Sequence, residues 1–318
     1  MKILITGVHG FVGSNLVRAL CRDHEIYGLD IVAPDKEGVV NTFSWDDLDQ
    51  DKVPVPDAII HLAGKAHDTK NKSAADVYFK VNTDLTKKIF NWFSSKPAAR
   101  KFIFFSSVKA AVDKVPGEIL TEEVATAPVG PYGESKVRAE EYILDLLKDN
   151  PSNYSEKDVV ILRPCMIHGP GNKGNLNLLY GFVKKGLPWP LGAFENKRSF
   201  TSIDNLSFVI SGLLSKSVES GIYNMADDHA LSTNELINVM CAAMDKKAHI
   251  WKLPKGLIKF MTGTGDLLHL PLNSFRLQKL TENYVVANDK LKKALGISKM
   301  PVDPVDGLTL TIKSFSEK

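Results

Sequence analysis

The first half of the chain alternates short apolar runs with longer segments in which apolar residues recur every three or four positions. The short runs are typical of parallel strands buried on both faces, and the longer spacing predicts amphipathic helices. Strands are predicted at Lys2–Thr6, Glu25–Asp30, Ala58–Leu62, Phe102–Ser106 and Val159–Leu162. The clearest helices between them are predicted at Ala74–Phe93 and Pro131–Lys148.

Alternating strands and helices predict an α/β fold with a doubly wound parallel sheet of the Rossmann type. After Pro164 the segments become shorter and mostly helical, as at Thr233–Met244 and Leu257–Thr264. The stretch Ser199–Leu214 has the pattern of a strand and a helix that return to the first domain. We therefore expect a first domain at residues 1–168, rejoined by about 199–226, and a smaller, mostly helical domain at 169–198 and 227–318.

Composition excludes several classes of protein. The formal net charge of the 318 residues is +3 without a basic block of the kind that follows a phosphate backbone, so we expect no nucleic-acid partner. No stretch approaches the roughly 20 apolar residues that cross a bilayer, and the N-terminus does not resemble a signal peptide. Three dispersed cysteines form no metal-ligand pattern and suit reduced thiols. The sequence predicts a cytoplasmic, soluble protein without a membrane partner or a metal.

Three glycines follow the first predicted strand and open a helix. Gly7, Gly10 and Gly13 form the pattern GxxGxxG, with Phe11 and Val12 inside it. In a dinucleotide site such glycines allow a tight turn, a close approach of the backbone to the pyrophosphate, and close packing of helix on strand. The helix N-terminus adds free N–H groups and partial positive charge for the anion. This segment is a candidate dinucleotide-binding turn; a simple loop is the alternative.

Asp30 ends the second predicted strand, 23 residues after Gly7. A carboxylate there accepts hydrogen bonds from the adenosine ribose and repels a 2′-phosphate, which favours NAD over NADP. Ile31 follows it, so no arginine stands beside it for the phosphate of NADP. An ordinary strand-end aspartate is the alternative.

Tyr132 and Lys136 form a YxxxK motif, whose spacing places both side chains on one helix face. A phenol is a poor base at neutral pH, and a nearby ammonium lowers its pKa. A second match, Tyr180–Lys184, lies in the predicted smaller domain, and we interpret it as a coincidence. Ser107 closes the fourth predicted strand at the sheet edge where ligands bind, and Ser106 is its rival because neighbouring side chains point to opposite faces.

Together these residues resemble the extended short-chain dehydrogenase/reductase family, also called the NAD-dependent epimerase/dehydratases. The resemblance covers most of the chain and rests on TGVHGFVG, Asp30, HLAG (61–64), FKVN (79–82), FFSSVK (104–109), PYGESK (131–136) and LRPCMIHGPG (162–171). It implies that NAD is the cofactor, that a nucleoside diphosphate sugar is the substrate, and that a homodimer is possible.

The resemblance also implies roles for individual residues. Tyr132 is the expected acid/base, Lys136 its partner and cofactor ligand, and Ser107 the hydroxyl that orients the substrate oxygen. Further cofactor contacts are expected from Leu62, Ala63, Gly64 and Asn82. Candidates for substrate contact are Lys109, Arg198, His67 and Asn175. For Arg198 a solvated surface position is the alternative, as it is for Lys109 and His67.

Departures from the family pattern narrow the expected reaction. Members that eliminate water carry Thr-Asp-Glu where this chain has Ser107-Val108-Lys109, so a 4,6-dehydratase is not expected. The leading hypothesis is an NAD-dependent nucleotide-sugar 4-epimerase that transfers hydride at sugar C4. The alternatives are an NAD(P)H-dependent reductase of nucleotide 4-keto-6-deoxy sugars and, from a different class, a non-catalytic dinucleotide sensor.

Overall fold

The computed structural model describes residues 1–32, 34–65, 74–172, 174–267 and 273–316. The strands within these ranges are β1 (Lys2–Thr6), β2 (Glu25–Leu29), β3 (Asn41–Phe43), β4 (Ala58–His61), β5 (Lys101–Phe105), β6 (Asp158–Pro164), β7 (Met166–His168), β8 (Phe200–Ser202) and β9 (Gly221–Met225). Seven of them form one parallel sheet in the order β3-β2-β1-β4-β5-β6-β9. The predicted Rossmann-type α/β fold is confirmed.

The helices of the described ranges connect and cover these strands. They are α1 (Phe11–Leu20), α2 (Trp45–Asp49), α3 (Ala75–Tyr78), α4 (Leu85–Ser94), α5 (Val108–Ala111), α6 (Gly130–Asp149), α7 (Asn175–Lys184), α8 (Ile203–Ser215), α9 (Thr233–Ala243), α10 (Lys255–Leu267), α11 (Ser274–Thr281), α12 (Asp289–Leu295) and α13 (Pro304–Ser314). A short 3₁₀ turn, Pro151–Tyr154, follows α6.

The alternation of side chains along each strand gives the sheet two buried faces. In β1, Ile3 and Ile5 belong to one apolar cluster and Leu4 to the other. Apolar side chains on both faces explain why the strands appear in the sequence as continuous apolar runs. All five predicted strands are confirmed, with ends that differ by one or two residues.

Two strands of the main sheet were not predicted from the sequence. The three residues of β3 lie at one edge of the sheet and are half-buried or exposed, so they lack a continuous apolar run. At the other edge, β9 pairs with β6, and its sequence GIYNM mixes polar and apolar residues. An edge strand pairs on one side, so its sequence carries less of the signal that marks a central strand.

The predicted helix Ala74–Phe93 is not a continuous α-helix. Residues Phe79–Asp84 form a π-helical turn between α3 and α4. A π turn adds a residue to the helical repeat, and such turns occur frequently at functional sites. The apolar spacing of the whole segment predicted a helix but not this local widening.

Apolar side chains of the C-terminal half pack against the main sheet and also form a cluster of their own. Leu206 and Val209 of α8 pack in the same cluster as Ile3 of β1, and β8 pairs with β7 outside the main sheet. A separate cluster joins α7, α9 and α13, with Ile237 and Leu308 among its buried members. The division into domains at 1–168, 199–226 and the remainder stays a prediction.

Candidate active site

The glycine turn between β1 and α1 has a geometry that requires glycine. Gly7 has a φ of +69°, in the left-handed region, and its N–H donates to the oxygen of Leu29 at 2.8 Å. A Cβ on Gly13 would stand 2.5 Å from the oxygen of Gly7. Gly10 caps α1, and no side chain of the described residues bonds to that helix end. The first turn of α1 begins with Phe11 and Val12, and its free N–H groups are directed at the space in front of the glycine turn. An anion-binding site requires such free N–H groups.

Asp30 lies directly beside this turn. Its carboxylate accepts hydrogen bonds from the N–H of His9 at 3.0 Å and from its own neighbour, Ile31, at 2.8 Å. Lys36, which the sequence analysis missed, donates from Nζ to the hydroxyl of Ser14 at 2.9 Å. The structure thus places a carboxylate and an ammonium near the start of α1, where an adenosine ribose is expected to bind.

A buried chain of hydrogen bonds holds the loop after β4. The hydroxyl of Thr6 bonds to Nδ1 of His61 at 2.7 Å and accepts from the N–H groups of Leu62 and Ala63 at 3.1 and 2.9 Å. Nε2 of His61 bonds to Thr86 at 2.9 Å. Burial lowers the pKa of His61 to about 3, so the ring is neutral at physiological pH. These contacts hold the loop against the glycine turn.

Asn82 lies in the π turn and is completely buried. Its Oδ1 accepts from the N–H of Lys65 at 2.7 Å, and its Nδ2 donates to the hydroxyl of Ser135 on α6 at 3.0 Å. A Cβ on Gly64 would stand 3.0 Å from Asn82 Oδ1 and 3.1 Å from Lys136 Nζ. The π turn therefore brings the loop after β4, α6 and the lysine of the YxxxK motif together.

Lys136 is buried, and its Nζ donates to the oxygen of Phe105 at 2.8 Å. Burial lowers the pKa of Lys136 to about 8, and the negative charge of Glu140 works in the opposite direction. Glu140 also accepts hydrogen bonds from Ser106 and Arg163 in a buried ion pair. The ammonium of Lys136 is therefore held at the end of β5 by the main-chain oxygen of Phe105 and by the charge of Glu140, one helical turn further along α6.

Tyr132 and Ser107 meet at this point. The Tyr132 side chain forms a hydrogen bond with the hydroxyl of Ser107, which also accepts from the N–H of Lys109 at 3.2 Å. Burial raises the pKa of Tyr132, while the bond with Ser107 lowers it. The pKa of Tyr132 is thus raised overall, whereas a nearby Lys136 ammonium is expected to lower it. Ser107 is not the last residue of a strand but the N-cap of α5.

The two candidate substrate residues Lys109 and Arg198 lie around the same segment. Lys109 Nζ bonds to Asp113 at 3.0 Å and lies 4.4 Å from the centre of the Tyr284 ring. Arg198 donates to the main-chain oxygen of Lys279 at 2.6 Å, and Lys279 also pairs with Asp113 at 3.1 Å. Burial raises the pKa of the Cys165 thiol, and Arg198 and Lys109 act in the opposite direction. Both cations therefore lie near Cys165, the residue that follows β6.

Other residues that the sequence singles out lie away from this site or outside the described residues. Tyr180 of the second YxxxK match is buried in the cluster of α7, α9 and α13, and its hydroxyl bonds to Ser316 at 3.1 Å. Asn175 begins α7, where the structure describes its backbone alone. His67 lies outside the described residues.

These features fit a bound NAD. Gly13 lets α1 pack closely against the turn, since a Cβ there would stand 2.5 Å from the oxygen of Gly7, and the N-terminus of α1 can accept a pyrophosphate. Asp30 accepts a hydrogen bond from His9 of the turn, and the ammonium of Lys136 lies close to Gly64 in the loop after β4. Among the described residues no group of histidine, cysteine, aspartate and glutamate side chains could hold a metal ion. None of the described helices is long and apolar enough to cross a membrane.

Comparison with known proteins places the chain in a family. The model of the NAD dependent epimerase/dehydratase family matches residues 3–226. The UDP-glucose 4-epimerase of Vibrio cholerae is 32% identical over 267 residues, which cover 80% of this chain and 78% of that protein. The GDP-6-deoxy-D-mannose reductase of Pseudomonas aeruginosa is 24% identical over 256 residues, 75% of this chain and 79% of that one.

The fold has close relatives among solved structures. The UDP-glucuronic acid 4-epimerase from Bacillus cereus, in complex with NAD, superposes with a TM-score of 0.75 at 20% identity, covering 100% of this chain and 99% of that one. The likeness to this structure shows the fold, and the family model covers all seven strands of the main sheet apart from the first residue of β1. The chain therefore belongs to the NAD-dependent epimerase/dehydratase family, a family of enzymes whose cofactor is NAD, as the sequence predicted.

Proposed function

We propose that the chain is a nucleotide-sugar 4-epimerase that works by hydride transfer at sugar C4. The observation that carries the proposal is the hydrogen bond between Tyr132 and Ser107, at the strand end where Lys136 is held. A dinucleotide sensor would need the glycine turn but not these three side chains. The 32% identity to a UDP-glucose 4-epimerase supports the same reaction class.

The three residues divide the proton chemistry among them. A bound NAD would supply the acceptor for the hydride from C4 and, after the keto sugar has rotated in the site, the donor that returns this hydride to the opposite face. Tyr132 removes the proton from the C4 hydroxyl and later returns it, and Ser107 orients the sugar oxygen through its hydroxyl. Because burial raises the pKa of Tyr132, the phenol needs nearby positive charge to act as a base. Lys136 and the positively charged nicotinamide ring are the expected sources of that charge.

Lys109 and Arg198 are the proposed contacts for the rest of the substrate. Arg198 is half-buried, and the fork of its guanidinium suits the oxygens of a diphosphate. Lys109 stands two residues after Ser107, where an elimination would need an acid. A cation there suits an oxygen-rich sugar and argues against loss of water. His67 and Asn175 remain proposed contacts from the sequence alone.

The experiment incubates the purified protein with UDP-glucose, UDP-N-acetylglucosamine and their C4 epimers, and follows the products by NMR. The proposal predicts interconversion at C4 without net change in the near-ultraviolet absorbance of NADH. Consumption of NADH or NADPH with a nucleotide 4-keto-6-deoxy sugar would instead establish the reductase. Binding of NAD without turnover of either class of substrate would establish the sensor. Light scattering on the same sample tests the expected homodimer.

A further inference from the structure

The helix α5 is a single short turn that presents two of the proposed functional residues. It spans Val108–Ala111, with Ser107 as its N-cap and Lys109 inside it. The N–H of Val112 donates to the oxygen of Val108 at 3.3 Å, which is longer than the common value of about 2.9–3.0 Å. Because so short a helix is not stable in isolation, contacts from other parts of the chain must hold it in place.

Tyr284, from the C-terminal half of the chain, supplies such a contact. Its side chain is buried, and its hydroxyl shares its proton between the main-chain oxygens of Val108 at 3.1 Å and Val112 at 2.8 Å. These oxygens belong to the first residue of α5 and to its C-cap. Burial raises the pKa of Tyr284, so the hydroxyl keeps its proton and remains a donor. One phenol therefore joins both ends of α5.

The ring of Tyr284 also lies against α5. It packs in one buried apolar cluster with Val108 and Val112, and the Nζ of Lys109 lies 4.4 Å from the centre of the ring. At this distance an ammonium is attracted to an aromatic ring. The ring and Asp113, whose carboxylate lies 3.0 Å from the same Nζ, thus fix the position of the Lys109 ammonium.

The main chain of Tyr284 is paired with the segment that contains Arg198. Its N–H donates to the oxygen of Lys197 at 2.8 Å, and its oxygen accepts from the N–H of Ser199 at 2.9 Å. Arg198, the proposed diphosphate contact, lies between these two residues. Tyr284 therefore connects the segment of the diphosphate contact with the helix that presents Ser107.

We propose that Tyr284 is a positioning residue of the reaction, which holds α5 so that the hydroxyl of Ser107 meets Tyr132 and the ammonium of Lys109 stays beside them. The inference rests on the proposed function, because Ser107 and Lys109 are the groups that Tyr284 positions. The hydroxyl of Tyr284 bonds to main-chain oxygens of α5, so its effect on the substrate passes through Ser107.

The first test removes the hydroxyl of Tyr284 and keeps its ring. Tyr284→Phe should lower kcat for interconversion at C4 about threefold to tenfold, the value of one hydrogen bond, while the Kd for NAD stays within about twofold. The acidic limb of its pH profile should move to higher pH, because the bond between Ser107 and Tyr132 is weakened. The matched control is Tyr223→Phe, which removes a buried hydroxyl that donates to the main-chain oxygen of Glu219 at 2.7 Å. This control should turn over like the wild type.

A double-mutant cycle separates the positioning of Ser107 from a general loss of stability. In Ser107→Ala, the further change Tyr284→Phe should lower kcat less than about twofold, because the hydroxyl that it positions is already absent. An equal loss of kcat with and without Ser107 would overturn the inference, and so would wild-type turnover by Tyr284→Phe. If Ser107→Ala and Tyr132→Phe also turn over like the wild type, the proposed function fails and the inference fails with it.

Main-chain hydrogen exchange tests the same contact without a substrate. The amides of residues 108–112 should exchange at least about threefold faster in Tyr284→Phe than in the wild type, because α5 opens more often without this hydrogen bond. In Tyr223→Phe the same amides should exchange at the wild-type rate. Unchanged exchange of these amides in Tyr284→Phe would overturn the inference, whatever sugar the enzyme uses.

Discussion

A hydrogen bond joins the side chains of Ser107 and Tyr132, whereas Ser106, one residue earlier, donates to Glu140. The two serines are adjacent, yet one faces the phenol of the YxxxK motif and the other completes a buried ion pair with Arg163. Alternation along a strand predicts that the side chains of Ser106 and Ser107 point to opposite faces, but it does not say which of the two faces the YxxxK motif. The structure brings Ser107 to the proposed base.

Ser107→Ala is expected to lower kcat about tenfold to a hundredfold, the usual value of a hydrogen bond to a charged group. Since the bond with Ser107 lowers the pKa of Tyr132, its loss should move the acidic limb of the pH profile, along which activity rises as the phenol loses its proton, to higher pH. The measurement is kcat as a function of pH.

Ser106→Ala is the matched control. It should leave the pH profile in place and reduce the free energy of unfolding by about 1–3 kcal/mol, because Glu140 loses a buried donor. A shift of the pH profile in Ser106→Ala, with none in Ser107→Ala, would reverse the assignment of the two serines.

Gly13→Ala should abolish or greatly weaken NAD binding. Its Cβ would stand 2.5 Å from the oxygen of Gly7, so the turn must deform. We expect the Kd for NAD, measured by fluorescence titration, to rise at least about tenfold. Gly181→Ala, where a Cβ meets nothing within 4 Å, should bind NAD normally and stabilise α7 by up to about 1 kcal/mol. Wild-type binding by Gly13→Ala would remove the turn from the cofactor site.

His61 makes the stability of the fold sensitive to acid. The unfolded ring gains a proton near its ordinary pKa of 6.5, while the folded ring stays neutral down to about 3. Between these values the unfolded state binds more protons, so the free energy of unfolding falls as the pH falls, by up to about 1.4 kcal/mol per pH unit.

Urea unfolding between about pH 6.5 and pH 5 measures this dependence. His61→Gln should lose the part of the slope that the ring contributes, and the exposed His229→Gln should retain it. An equal slope in the wild type and His61→Gln would show that the ring is protonated in the folded protein.

Asp30→Ala is expected to raise the Kd for NAD about tenfold and to narrow the preference over NADP. The carboxylate would lose its bonds to the ribose and its repulsion of a 2′-phosphate. Asp30→Asn is the matched variant, because it removes the charge but retains an acceptor for the N–H of His9. If neither variant changes the ratio of the two Kd values, Asp30 does not set the preference.

The strands in the middle of the main sheet could be predicted from the sequence, whereas its two edge strands could not. The apolar runs of β1 and β4 mark strands buried on both faces, whereas the short edge strand β3 carries no such run. The glycine turn and the YxxxK motif could be predicted because the chemistry of each depends on residues at a fixed, short spacing along the chain. The roles of Thr6 and His61 depend on contacts across more than 50 residues, which spacing along the chain does not reveal.

The most direct test of the account measures kcat and the Kd for NAD in Tyr132→Phe, with Tyr180→Phe as the control from the second YxxxK match. If the phenol of Tyr132 exchanges the proton of the C4 hydroxyl, Tyr132→Phe should lose at least about a hundredfold in kcat, while its Kd for NAD should change less than about threefold. Tyr180→Phe should turn over like the wild type. Wild-type turnover by Tyr132→Phe would contradict the proposed chemistry.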